Sequence, residues 1–312
     1  MDRNIEFTII TPVYNCERYI VETIESVFKF TNLINFEYIV VNDGSTDGTL
    51  GLLNRYKDKI KVISQTNMGE AKAVNSALEI AQGEYCLIIS ADDPLYSENL
   101  FTLAKQILDN DREVVAVYPN WLVINDVGKV VSEVDVADYS ESLLIGQFKC
   151  LPGPGTIFRT EIALSVGGRN SKYRFVSDYE FWLKLSQHGR FVRIPKYLAQ
   201  WRSHQDSTSI KNKGYLMAKE RISLMENFTD EYRLNREITK SALAHAYYHA
   251  AILSYFSLEV PGQLWMLKAL RINRGWLKGS QPKVVLYLLL FPWSYYVTQF
   301  LRKTPLKKSL PN

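Results

Sequence analysis

Between residues 6 and 93 the chain repeats one pattern: a short apolar run, a polar cluster, then a stretch with helical spacing. Residues 6–13 are β-branched and apolar and read as a buried strand, and residues 36–41, 61–64 and 85–90 read the same way. Residues 17–30 place Ile20, Val21, Ile24, Val27 and Phe28 on one helical face. Residues 49–56 and 69–82 are the next two helices; Ala73, Ala77, Leu78 and Ala81 face inward on the latter, and Gly83 stops it. Strands alternating with helices predict an α/β fold: a mostly parallel sheet flanked by helices. In such sheets ligands sit outside the carboxyl ends of the strands. The polar residues fall at those ends, in segments 11–15 and 42–47 and at Asp92 and Asp93. Topology alone therefore brings three polar clusters to one edge.

Further along the regularity loosens. Residues 114–122 read as a strand and 123–138 as a hairpin-like excursion around Asn125-Asp126-Val127-Gly128. Pro152-Gly153-Pro154-Gly155 is a tight turn, residues 179–187 are a short helix, and residues 211–258 are one or two long helices. A chain of 312 residues with 46% hydrophobic and 22% charged residues can bury a sizeable core, and this composition argues against long disorder. Its 19 tyrosines and 6 tryptophans suit either sugar handling or a membrane interface. Cys16, Cys86 and Cys150 are odd in number and far apart, which suits a reducing compartment, and the N-terminal residues show no secretory signal. Residues 261–312 hold nine Lys/Arg and no Asp/Glu, so the net +4 of the chain is +9 there and −5 elsewhere. Nucleic-acid binding by the body therefore has no support.

Six strings carry a resemblance. They are Thr11-Pro12-Val13-Tyr14-Asn15, the run from Val41 through Asp43 to Thr49, Asn67-Met68-Gly69 running to Asn75, Ser90-Ala91-Asp92-Asp93, Ser177-Asp178-Tyr179-Glu180-Phe181-Trp182-Leu183, and Trp201-Arg202-Ser203-His204. In this order and spacing, over residues 5–210, the chain resembles the large family-2 glycosyltransferases of the GT-A (Rossmann-like) fold, which transfer sugars with inversion. The resemblance implies that Thr11, Pro12, Val13 and Tyr14 lie along a nucleobase and that Asp43 accepts its ring N–H. That chemistry suits the uracil or thymine of a UDP- or dTDP-sugar donor and disfavours guanine. Asp93 would bind Mg2+ or Mn2+, Asp92 the ribose or sugar, His204 the metal or a phosphate, and Arg202 a phosphate oxygen. Asp178 would be the general base that takes the proton of the acceptor hydroxyl.

Each site residue also has a plainer alternative. Asp92 and Asp93 could cap a helix starting near Glu98, Asp43 could be an Asx-turn residue, Asp178 a helix cap and His204 a satisfied surface residue. Two departures from the family pattern stand out. Ser177 precedes Asp178 where many members have Glu, and Val74 stands where relatives carry Arg, so Glu70, Lys72 and Asn75 receive no assigned role. The 155–156 turn would line the acceptor side.

The domain division read from the sequence is a glycosyltransferase domain over 1–210, with a nucleotide-binding half at 1–95 and an acceptor half at 96–210. A helical extension follows at 211–280, and a basic-aromatic tail at 281–312. Residues 284–301 carry no charge but include Pro292, Trp293, Tyr295 and Tyr296, which fits an in-plane membrane-surface segment better than a span; docking on the body or on a partner chain is the alternative. The expected location is cytoplasmic, peripheral on the inner face of the membrane, and an oligomer is compatible with it. The acceptor implied is a glycan or lipid-linked glycan in cell-surface polysaccharide or glycoconjugate synthesis. Two rival classes are a non-catalytic nucleotide-sugar-binding protein and a nucleotidyltransferase. The first has no use for Asp93, Asp178 and His204 together, and the second would show a Gly-rich loop after the first strand.

Overall fold

A computed structural model of the chain describes residues 5–29, 34–204, 214–257 and 262–273. The apolar runs of the first half lie side by side as β1 (Phe7–Val13), β2 (Phe36–Asp43), β3 (Lys61–Gln65) and β4 (Tyr85–Ile88), paired in parallel in the order β3-β2-β1-β4. Between them run α1 (Ile20–Phe28), α2 (Thr49–Leu53) and α3 (Glu70–Leu78). Parallel strands covered by helices on both faces have no solvent face, which is why Ile9, Ile10, Ile39, Val40 and Val41 run on without polar alternation. Helix α1 turns Ile20, Ile24 and Val27 onto this sheet, where they join Phe7, Ile9 and Val13 in the main core. Each such side chain contributes roughly 1.5–3 kcal/mol by leaving water.

The second half continues the sheet with α4 (Asn99–Asn110), β5 (Val114–Ile124), β6 (Val130–Val134), β7 (Ile157–Arg159), α5 (Thr160–Ser165), α6 (Ser177–Leu185) and β8 (Arg190–Arg202). Strand β7 is antiparallel to both β4 and β5, so β5 again runs with β4; β8 lies parallel to β5, and β6 returns antiparallel. Mostly parallel order and flanking helices match the fold expected from the sequence. The hairpin between β5 and β6 turns at Asn125, whose side-chain oxygen accepts the N–H groups of Val127 and Lys129. Strands β7 and β8 were not foreseen. Along β8 the register against β5 shifts twice near Pro119 to Trp121, and those irregularities erase the two-residue period that marks a strand.

The chain divides into two compact units, residues 1–144 with 150–210, and residues 145–149 with the chain from 211. The second contains α7 (Gly214–Glu231), α8 (Arg236–Ser257) and α9 (Gln263–Ile272), with a core of Ala244, Tyr247, Tyr248, Ala251, Met266 and Ala269. Its His249 packs against Phe148 and Tyr248. Among the described residues no helix is long and apolar enough to cross a membrane. The basic-aromatic stretch 281–312 lies outside the described residues.

Candidate active site

Asp43 closes β2 and is 3% exposed. Its Oδ1 accepts from Gln65 Nε2 at 2.8 Å and Met68 N at 2.9 Å, and its Oδ2 accepts from Gly69 N at 2.8 Å. Two consecutive N–H groups reach one carboxylate because Gly69 has φ of 90°, a conformation open to glycine and rare elsewhere. A carboxylate has about four acceptor positions, so roughly one is left for a ligand. The Asx turn belongs to the preceding residue: Ser45 N–H donates to Asn42 Oδ1 at 3.2 Å. Asn15 laces this turn to the end of β1, accepting from Thr46 N at 2.7 Å while its own N–H donates to Ser45 Oγ at 3.0 Å.

The β1 end requires a correction. Thr11 is fully buried with its Oγ1 3.0 Å from Tyr38 Oη, and Val13 is buried in the main core. Neither side chain is available to a nucleobase. Pro12 is partly exposed and Tyr14 is 51% exposed, so those two can present their side chains.

Asp92 and Asp93 follow β4 and cap nothing, since α4 begins only at Asn99. Asp93 is buried, and its Oδ1 accepts from Arg202 N at 2.6 Å. Burial first, and the charge of Asp92 second, push its carboxyl well above the ordinary range, against the pull of that N–H. His204 Nε2 lies 2.8 Å from Asp92 Oδ2, and its ring packs on Tyr19. Among the described residues no three His, Cys, Asp or Glu gather as a metal cage. Two adjacent carboxylates, one of them buried without a full countercharge, nonetheless fit a hard cation that completes its coordination with substrate phosphates. The neighbouring Cys16 is no nucleophile, because burial pushes its thiol up to about 12.

Arg202 also departs from its expected role. It is 1% exposed; Nε donates to Asp92 O at 2.8 Å, Nη1 to Asn125 O at 3.1 Å and Asp126 O at 3.3 Å, and Nη2 to Glu22 Oε2 at 2.8 Å. Its guanidinium stacks 4.8 Å from the Tyr19 ring centre. A side chain so enclosed clamps two loops and helix α1 together and offers no face to a phosphate.

Asp178 stands in the first turn of α6, with Tyr179 N–H donating to its Oδ1 at 2.7 Å. Solvent reaches the carboxylate from a cleft of about 270 Å³, yet protein rings it on most sides. That crowding raises its pKa; Arg169 opposes the rise and Glu70 adds to it. Asp93, Glu70, Arg169, Trp182 and Trp201 line the same cleft, with the 152–156 turn forming one wall. The structure thus brings Asp93 and Asp178 into one cavity at the carboxyl edge, while Asp43 sits apart, outside the residues that line it. Arg169 escaped the sequence reading. Its contacts come from residues ninety or more positions away, and the only local signal is the pair Gly167-Gly168 before it.

Residues 8–134 match the family model described as glycosyl transferase family 2. The chain is 28% identical over 214 residues to a chondroitin synthase of Pasteurella multocida (strain Pm70), a match that covers 66% of the chain but only 21% of that longer protein. Among solved structures, Staphylococcus aureus TarS 1–349 in complex with UDP-GlcNAc superposes with a TM-score of 0.68 at 19% identity, covering 96% of this chain and 92% of that one. A mannosyltransferase from Pyrobaculum calidifontis in complex with GDP-Man and Mn2+ gives 0.56 at 16% identity, with 97% and 89% covered. At these identities the structural matches speak for the fold.

Proposed function

The chain carries a glycosyl transferase family 2 domain, and from that premise we propose that it transfers a sugar from a UDP- or dTDP-sugar to a hydroxyl of a glycan or lipid-linked glycan, with inversion. The observation that supports this reading is the shared cleft of Asp93 and Asp178 at the carboxyl edge of the sheet. A sugar hydroxyl is a poor nucleophile until its proton is removed as it attacks. Asp178 takes that proton from the acceptor side, and its place in the first turn of α6 favours the charged form needed to do so. Single displacement at the anomeric carbon then inverts the configuration. On the donor side Asp43 keeps one acceptor position for the imide N–H of uracil or thymine, and Pro12 and Tyr14 flank the base. TarS, solved with UDP-GlcNAc, supports the UDP alternative. Asp93, with Asp92 held by His204, would take Mg2+ or Mn2+; a bound cation would neutralise charge on the departing diphosphate. Catalysis is assigned to the 1–210 domain.

The test is a panel of nucleotide sugars incubated with the protein and candidate glycan acceptors, with Asp178→Asn alongside. Asn keeps the size and capping ability of Asp but cannot take the proton, so transfer should fall by about 10²–10⁴-fold. UDP affinity, read by calorimetry, should barely change. Near-parental transfer by the variant, or a product that retains the donor's anomeric configuration by NMR, would sink this mechanism.

A further inference from the structure

Arg169 has no part in the mechanism above, yet it is held more firmly than a loop arginine needs to be. It is 7% exposed, and its Nη1 donates to Glu70 Oε1 at 2.6 Å. Its backbone is gripped by α3 from both sides: its N–H donates to Asn75 Oδ1 at 2.8 Å, and its carbonyl accepts from Asn75 Nδ2 at 2.8 Å. At the preceding Gly168, φ is +64° and a Cβ would lie 2.4 Å from Asn75 Oδ1, so only glycine permits this approach. From the other side, Lys184 of α6 donates to Gly168 O at 2.8 Å. Arg169 Nε is nevertheless buried with no partner. Buried donors are nearly always matched, and an arginine retained for packing alone has no reason to leave one bare.

Its electrostatic setting is one-sided. The cleft holds the carboxylates of Glu70, Asp93 and Asp178, and among the described residues lining it Arg169 is the one cation. Glu180 on α6 adds a fourth carboxylate nearby in sequence, but Lys184 pairs with it at 3.2 Å and is engaged there. We propose that Arg169, fixed from α3 by Glu70 and Asn75, is the positioning residue that keeps the Asp178 carboxylate ionised and ready to accept a proton. Glu70, 64% exposed, orients the guanidinium and at the same time tempers its charge. The two act on Asp178 in opposite senses, Arg169 lowering and Glu70 raising its proton affinity, against a background of crowding that raises it. The inference rests on reading Asp178 as the base.

The experiment is a pH titration of side-chain carboxyl carbons by NMR on the full chain labelled at aspartate, which needs no knowledge of donor or acceptor. The Asp178 signal is the one lost in D178N. In the parent it should titrate above the ordinary aspartate range. In R169M its midpoint should rise by about one unit, as expected when an opposite charge is withdrawn. In E70Q it should fall by roughly half a unit, since a like charge is withdrawn from a more solvated position. E70Q changes an exposed side chain and carries the test independently of whether R169M folds. Midpoints that stay at the parental value in E70Q, or move in the same direction in both variants, overturn the proposal. Parental transfer by D178N overturns the base assignment, and with it this role for Arg169, whatever the midpoints do.

Discussion

Substituting Asp43 by alanine tests whether this residue is foremost a fastener. The carboxylate is 3% exposed and satisfies three donors: Gln65 Nε2, Met68 N and Gly69 N. Gln65 retains a second partner, since Ser76 Oγ donates to its Oε1 at 2.9 Å, so its amide can reorient. The two backbone N–H groups cannot. Both belong to exposed residues, so water can replace the lost acceptor and each bond counts at its net worth of about 0.5–1.5 kcal/mol; Asp43→Ala should remove about 1–3 kcal/mol of stability. That is a noticeable share of the roughly 5–15 kcal/mol that holds a domain folded. At about 2–4 °C per kcal/mol for a domain of this size, the thermal midpoint should fall by roughly 5 °C. Thermal unfolding followed by circular dichroism, without nucleotide, reads this directly. Asp43→Asn should do little better, because its amide group would face the Gly69 N–H donor to donor. A residue that serves only the nucleobase predicts lost UDP affinity at an unchanged midpoint. Parental melting of Asp43→Ala would therefore refute the reasoning.

Arg202→Met should lower the urea midpoint by the equivalent of about 3 kcal/mol at an unchanged m-value, because the carbonyls of Asp92 and Asp126 lose their donor, that of Asn125 keeps only Gly128 N–H, and Glu22 loses its ion pair. Burial holds His249 at about 4, below the ordinary 6.5. Its contribution to stability is thus complete above pH 6.5 and is lost as pH falls towards 4, by about 2–3 kcal/mol; His249→Phe should flatten that acid limb in melts taken across the range. Excess EDTA should abolish transfer, and Asp93→Asn should do the same without lowering the melting temperature of the nucleotide-free protein; full transfer in chelator would remove the metal from the mechanism.

The first-half strands were legible because burial on both faces leaves an unbroken apolar run, a signal that needs no partner to be read. Even the correction at β1 was within reach: Thr11 and Val13 share the parity of Phe7 and Ile9, and a period of two sends all four to one side of the sheet. Arg202 was a different case. Its motif suggests anion binding, but its fate depends on carbonyls from Asp92 and from the 125–126 turn, which only the pairing of β8 with β5 brings near. Arg169 depends on Glu70 and Asn75 in the same way, with local sequence saying little. Strand β8 was hidden by its own irregular register. What failed to show in sequence was, in each instance, a contact made by tertiary structure between segments of no shared periodicity.

The reversed direction of β7 has a consequence for how such a molecule can be altered. A parallel strand meets the cleft with its end, where the chain is already committed to a following helix. Strand β7 meets it with its beginning: Ile157 lies opposite Leu87, near the end of β4, so the 152–156 turn is delivered to the cleft wall before the strand starts. The turn is free of the βα joints that hold Asp43 and Asp93, yet it is fixed from behind: Gly155 has φ of +78° and a Cβ there would lie 2.7 Å from Ala199 Cβ, and one on Gly153 would meet the Trp121 ring at 2.8 Å. On the proposed reading that this turn lines the acceptor side, substitutions at Pro154, its partly exposed side chain, should redirect which acceptor is chosen while the donor side of the chemistry is left as it stands.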